Sequence, residues 1–147
     1  ASCGWLAIVS PHIPAILSRE VRFRTGQICE YCLLPQSSQE ATFHIDHIVP
    51  RQAGGATTSS NLALACVTCS LRKAARLEAR DPDSQEEVRI FHPREQEWSR
   101  HFSLSAGFEL EGLTPTGRAT IEALNMNRKA IVLIRKELNF LDRYPPK

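Results

Sequence analysis

The chain has 147 residues, the length of one domain of ordinary size. Hydrophobic residues make up 42%, enough for a modest core, while a net charge of +2 is too mild to demand nucleic acid by itself. No apolar run reaches the roughly 18 to 20 residues of a bilayer span, so a transmembrane protein is excluded, as are a collagen-like fibre and a long coiled coil. The apolar stretch at residues 5–9 has no basic residues before it and no small-residue cleavage pattern after it, so no secretory signal is expected. The bases are 14 Arg against 4 Lys. Arg is the better phosphate binder, because its planar fork bonds two oxygens at once. An Arg-rich codon usage explains the same count.

Along the chain, residues 1–16 are unassigned, with Pro11 and Pro14 breaking regular structure. A short helix is expected over 19–25, with Ser18 as its N-cap and Gly26 as its stop. Cys29 and Cys32 then form the first C-x-x-C knuckle. Residues 42–47 alternate and are β-branched, which reads as a strand. Residues 50–60 are a long polar loop, with Gly54 and Gly55 expected at positive φ. Residues 61–65 return as a second strand. The second knuckle, Cys66 and Cys69, opens a helix expected over 68–80. The 33 residues between the knuckles exceed zinc-ribbon spacing, so something folds between them. Two knuckles offer four thiolates to one tetrahedral ion, and structural zinc fits them better than a secreted disulfide framework. Cys3 is a bystander.

Residues 81–84 read as a linker. Pro93 starts a helix to about His101. Residues 102–104 and 108–110 flank a hairpin turn at 105–107. Thr114 and Pro115 start a helix to about Asn125, and a last helix covers 128–141. Ile131, Ile134, Leu138 and Leu141 mark the core face of that last helix. Trp98 and Phe102 are expected in the core, and His92 and His101 as caps or packing groups.

The run His44-Ile45-Asp46-His47-Ile48-Val49-Pro50 stands out. Gly54-Gly55, Asn61-Leu62, the second knuckle and Lys73 follow it. Taken together, residues 25–80 resemble an HNH endonuclease of the ββα-metal type. Phe91-His92-Pro93-Arg94, Trp98, His101-Phe102 and the run from Leu113 to Thr120 resemble the C-terminal extension of small bacterial HNH proteins. The resemblance implies an α+β fold: a zinc-stapled ββα-metal core over 17–80 and a helix–hairpin–helix extension over 81–147. It implies metal-dependent hydrolysis of DNA phosphodiester bonds, leaving 5′-phosphate and 3′-hydroxyl ends. His47 is then the general base, suited by an ordinary pKa near neutrality. Asp46 is a ligand to a catalytic Mg²⁺ or Mn²⁺, which prefer carboxylate and water oxygens. Asn61 braces the loop and holds the His47 ring.

One position departs from the family. Asn or His usually follows the last knuckle Cys as second metal ligand; here Ser70 stands there. Arg72 and Ala74 occupy positions often held by His and Gly. Either the site has decayed into a zinc-stapled binding module, or it is rebuilt. In the rebuilt site His44, two residues before Asp46 and on the same strand face, joins Ser70 at the metal. Retained activity is the expectation. Arg72, Lys73, Arg76 and Arg80 fall near helical spacing, and a DNA-facing helix is expected to carry them. Arg118 either binds a phosphate at its helix start or pairs with Glu122. The expected partner is DNA, double-stranded, without a membrane, in a bacterial cytoplasm, with a homodimer or larger effector complex as possible assemblies.

Overall fold

The structure, a computed structural model, describes residues 13–147. The readings of Cys3, of residues 5–9 and of Pro11 lie outside the described residues. Among the described residues the architecture is α+β, with three separate two-stranded antiparallel sheets among short helices. Among the described residues no helix is long and apolar enough to cross a membrane.

Helix α1 spans Ala15–Arg24, starting four residues before the expected position, so Ser18 lies inside it and Pro14 caps it. Pro14 suits that place, because the first turn needs no N–H from it. Gly26, at φ +64°, ends the helix as expected. The basic last turn of α1 is used internally: Arg22 donates to the Phe43 carbonyl, and Arg24 to the carbonyls of Ser59 and Leu62. These bonds tie α1 to the segment between the knuckles.

Strands β1 (His44–His47) and β2 (Leu62–Ala65) pair in register, His44 opposite Ala65 and His47 opposite Leu62. All four residues of β2 are buried. That explains its unbroken apolar run, which a half-exposed strand would interrupt. Helix α2 covers only Val67–Lys73. The expected helix to residue 80 fails at Ala74, which turns to φ +49°. The next residues have good helix propensity. They are recruited instead into β3 (Glu78–Arg80), paired with β4 (Glu87–Arg89), where Ala79 is buried beside Ile90 and Ala119. Tertiary burial overrides local preference here.

The expected linker at 81–84 is the turn of that hairpin. Asp81 is fully buried and accepts from the backbone N–H groups of Asp83 and Ser84 and from the Ser84 hydroxyl. Arg118 closes on it with two bonds of 2.9 Å, Nε to Oδ1 and Nη2 to Oδ2. The guanidinium holds the Asp81 carboxyl well below the usual carboxylate range. A depressed folded-state pKa means the stabilisation is present at neutral pH and is lost only as pH falls through that low value. Arg118→Gln should therefore raise the pH at which the protein unfolds in acid, measured by circular dichroism. An unchanged acid midpoint would show that the pair adds nothing.

In the C-terminal half, α3 is a single turn, Trp98–His101, preceded by turns rather than by the helix expected from Pro93. His92 caps the earlier turn, its Nδ1 accepting from the N–H groups of Arg94 and Glu95. Strands β5 (Phe102–Leu104) and β6 (Leu110–Gly112) form the expected hairpin, with the second strand two residues later than read. Helix α4 spans Pro115–Ala123 and is capped by the Thr114 hydroxyl, which also meets His101 Nδ1 at 2.6 Å. Helix α5 spans Lys129–Phe140. Ile131, Ile134 and Leu138 face the core as expected. Leu141 does not; it follows the last helical residue and is 56% exposed. Arg135 is buried instead, its guanidinium donating to the carbonyls of Phe108 and Met126.

A single apolar cluster joins both halves, from Val21 and β2 to Phe91, Phe102, Leu124 and Leu138. Trp98 and Phe102 are core residues within it, their ring centroids 4.9 Å apart. The C-terminal half also grips the first knuckle. Trp98 Nε1 donates to the Tyr31 carbonyl and the Tyr144 hydroxyl to the Cys32 carbonyl, both at 2.8 Å, and Arg94 pairs with Glu30.

Candidate metal and nuclease site

The four knuckle cysteines meet as their spacing predicts. Their sulfurs all lie within 4.8 Å of one another, and all four residues are buried. Cys32 Sγ lies 3.8 Å from Cys66 Sγ. Zn–S bonds of about 2.3 Å in a tetrahedron put sulfurs about 3.8 Å apart, so the cluster fits one zinc ion. Within each knuckle the second Cys N–H points at the first sulfur, from Cys32 to Cys29 and from Cys69 to Cys66. Such bonds favour thiolates. Hydrogen bonding with Cys29 first, then with Cys32 and Cys69, holds Cys66 far below the ordinary thiol range. Among the described residues, this is the only group of three or more His, Cys, Asp or Glu side chains gathered closely enough for a metal.

Strand β1 ends in Asp46 and His47. Asp46 is nearly buried, and burial raises its pKa against the opposing pull of Lys73. Lys73 Nζ lies 3.1 Å from Asp46 Oδ2 and donates to the His47 carbonyl at 3.0 Å. The Tyr31 hydroxyl reaches the same Asp46 oxygen at 3.4 Å. Lys73 is 1% exposed and so offers no charge to DNA, contrary to its expected role. Its place four residues past Cys69 turns it inward, because α2 packs on β1 there. The pair with Asp46 satisfies two groups that would be costly to bury alone.

His44 Nδ1 lies 3.0 Å from Ser70 Oγ, so the strand and helix bring together two of the residues named for the rebuilt site. The other face of β1 carries His47, half-buried, with Nε2 2.8 Å from Thr57 Oγ1. Burial lowers the His47 pKa, opposed by Asp46 and aided by Arg51 and Lys73. The ring is therefore neutral at neutral pH.

Asn61 braces the loop, as expected. Its Oδ1 accepts from Val49 N–H at 2.9 Å, and its Nδ2 donates to the carbonyls of Val49 and Ala56. It does not hold the His47 ring; Thr57 does. Gly54 sits at φ +90°, but Gly55 has a different reason. A Cβ there would fall 1.8 Å from the Val49 carbonyl oxygen, so only glycine lets the loop close against β1. Thr57 carries no local signal in a polar loop, which is why sequence reading missed it.

The expected basic helix face does not exist. Arg72 is exposed at the end of α2, with Nε 3.3 Å from the Ala123 carbonyl. Arg76 is exposed beyond the helix, and Arg80 lies on β3 within 3.5 Å of Glu87. Arg118 is committed to Asp81 and Asp83 rather than to a phosphate or to Glu122.

Among protein families, the model of the HNH endonucleases matches residues 29–76. No curated protein and no solved structure gave a significant match. The match runs from the first knuckle, through the β1–β2 hairpin and the braced loop, to just past α2. Residues 29–76 are thus similar to the HNH endonucleases, a nuclease-type family, and hold four cysteines positioned to form a zinc site.

Proposed function

We propose that the protein is a metal-dependent endonuclease that hydrolyses DNA phosphodiester bonds, with zinc held by Cys29, Cys32, Cys66 and Cys69 as a structural ion. The carrying observation is the His47 ring, held at Nε2 by a loop that Asn61 pins to the end of β1. His47 Nδ1 takes a proton from a water molecule. The water oxygen bonds to phosphorus, and the opposite P–O bond breaks. A neutral imidazole is required for this step, and burial favours that form.

Asp46, through the oxygen not engaged by Lys73, would hold a catalytic Mg²⁺ or Mn²⁺ together with Ser70 and His44. One carboxylate with a hydroxyl and an imidazole fits a hard cation that keeps most of its water. When bound, such a cation neutralises phosphate charge and assists the leaving oxygen. Arg72 and Arg76 are exposed and would meet the DNA backbone. Four thiols held for zinc suit a reducing, cytoplasmic setting.

A second reading is a catalytically decayed, zinc-stapled module that binds nucleic acid or acts as part of a larger effector complex. It is favoured by Ser70 at a usual ligand position and by the engagement of Asp46 with Lys73. A supercoiled plasmid at low salt, with zinc-loaded protein and no other metal, Mg²⁺ or Mn²⁺, decides between them. Metal-dependent conversion to nicked or linear DNA is expected. Salt-sensitive binding without cleavage would establish the module instead.

A further inference from the structure

We infer that Thr57 is the positioning residue that sets the tautomer of His47, accepting a hydrogen bond from Nε2–H so that Nδ1 faces the reacting water with its lone pair. The inference rests on the proposed hydrolysis and extends it to a residue outside the motif. Its basis is the 2.8 Å contact between Thr57 Oγ1 and His47 Nε2. A neutral imidazole has one donor and one acceptor nitrogen, and the partner of one decides the role of the other.

The direction of the bond follows from the proton transfer. Once Nδ1 has taken the proton of water, the ring is an imidazolium and both nitrogens carry hydrogen. Nε2 must then donate, so Thr57 must accept in that state. If it accepts beforehand as well, no hydroxyl has to turn during reaction, and the charge that develops meets an oxygen already in place. If Thr57 instead donated to Nε2, the proton would sit on Nδ1 and the ring would have no base to offer.

The loop is built to hold that oxygen still. Thr57 lies between two fixed points: Gly55, which has no room for a Cβ against Val49, and Asn61, whose side chain bonds Val49 and Ala56 on either side of the closure. Ser59, two residues on, accepts from Arg24 of α1. The segment that presents Thr57 is thus tied to β1 and to α1.

The test uses the full, zinc-loaded chain as wild type, Thr57→Ser and Thr57→Val, with His47→Ala to assign the His47 signals. Long-range ¹H–¹⁵N spectra read which imidazole nitrogen carries the proton, independently of any cleavage. Nε2-protonated His47 is expected in wild type and Thr57→Ser, and a mixed or reversed tautomer in Thr57→Val. In plasmid cleavage, Thr57→Val should lose on the order of 10²-fold in kcat with little change in KM, and Thr57→Ser should recover most of it. Nδ1-protonated His47 in wild type, or a Thr57→Val protein with unchanged tautomer, would overturn the assignment. If no protein cleaves, the hydrolysis reading fails while the spectra still decide the role of Thr57.

Discussion

Stripping zinc with a strong chelator should abolish the cooperative thermal transition of the protein. The four sulfurs are buried in the same apolar cluster as β2, Phe43 and Tyr31. Without a cation, four buried sulfurs would remain crowded within 4.8 Å of one another. The knuckles also join segments far apart in sequence, the turn after α1 and the start of α2, across 33 residues. Structural zinc contributes roughly 10 to 16 kcal/mol of apparent binding free energy in small zinc domains. That is comparable to the whole stability of a typical domain, about 5 to 15 kcal/mol. Loss of near-ultraviolet circular dichroism on chelation, restored by added zinc, is the expected observation, and Cys66→Ser should reproduce the loss. The Trp98 and Tyr144 bonds to knuckle carbonyls predict that the C-terminal half loses its order together with the core. A chelated protein that still melts cooperatively at its original temperature would show that apolar burial alone holds the fold.

His47→Ala should lower plasmid cleavage about 10²- to 10⁴-fold, the usual contribution of a general base. The side chain lies at the end of β1, half-buried, and its ring bonds only Thr57 among the described residues. The backbone carbonyl that Lys73 uses is unaffected by the substitution. Zinc content and melting temperature should therefore stay close to wild type, and DNA binding should survive. Cleavage that persists at the wild-type rate would remove His47 from the mechanism. Loss of folding along with cleavage would mean the ring serves the structure.

The knuckles, the β1–β2 hairpin and the loop-bracing Asn61 were legible in the sequence because each depends on near neighbours. C-x-x-C spacing sets which sulfurs can share an ion, and two residues on one strand share a face. Thr114 before Pro115 and Gly26 after α1 are likewise local signals. The end of α2 was not legible. Residues 75–80 have helix-forming composition, yet the last three of them pair with β4, and Ala79 finds its burial against α4. That early end removes the basic helix face. Lys73 reads as a free cation in sequence, and Arg118 as a phosphate binder or a partner of Glu122, but each meets a carboxylate distant in the chain, Asp46 and Asp81. Thr57 reaches His47 only because Gly55 and Asn61 fold the loop back on β1. The sequence by itself thus determined which four cysteines can share one metal ion and which strand carries the candidate histidine. Tertiary structure alone decided which charges remain free and which groups aim the histidine, since both depend on partners that no local spacing reveals.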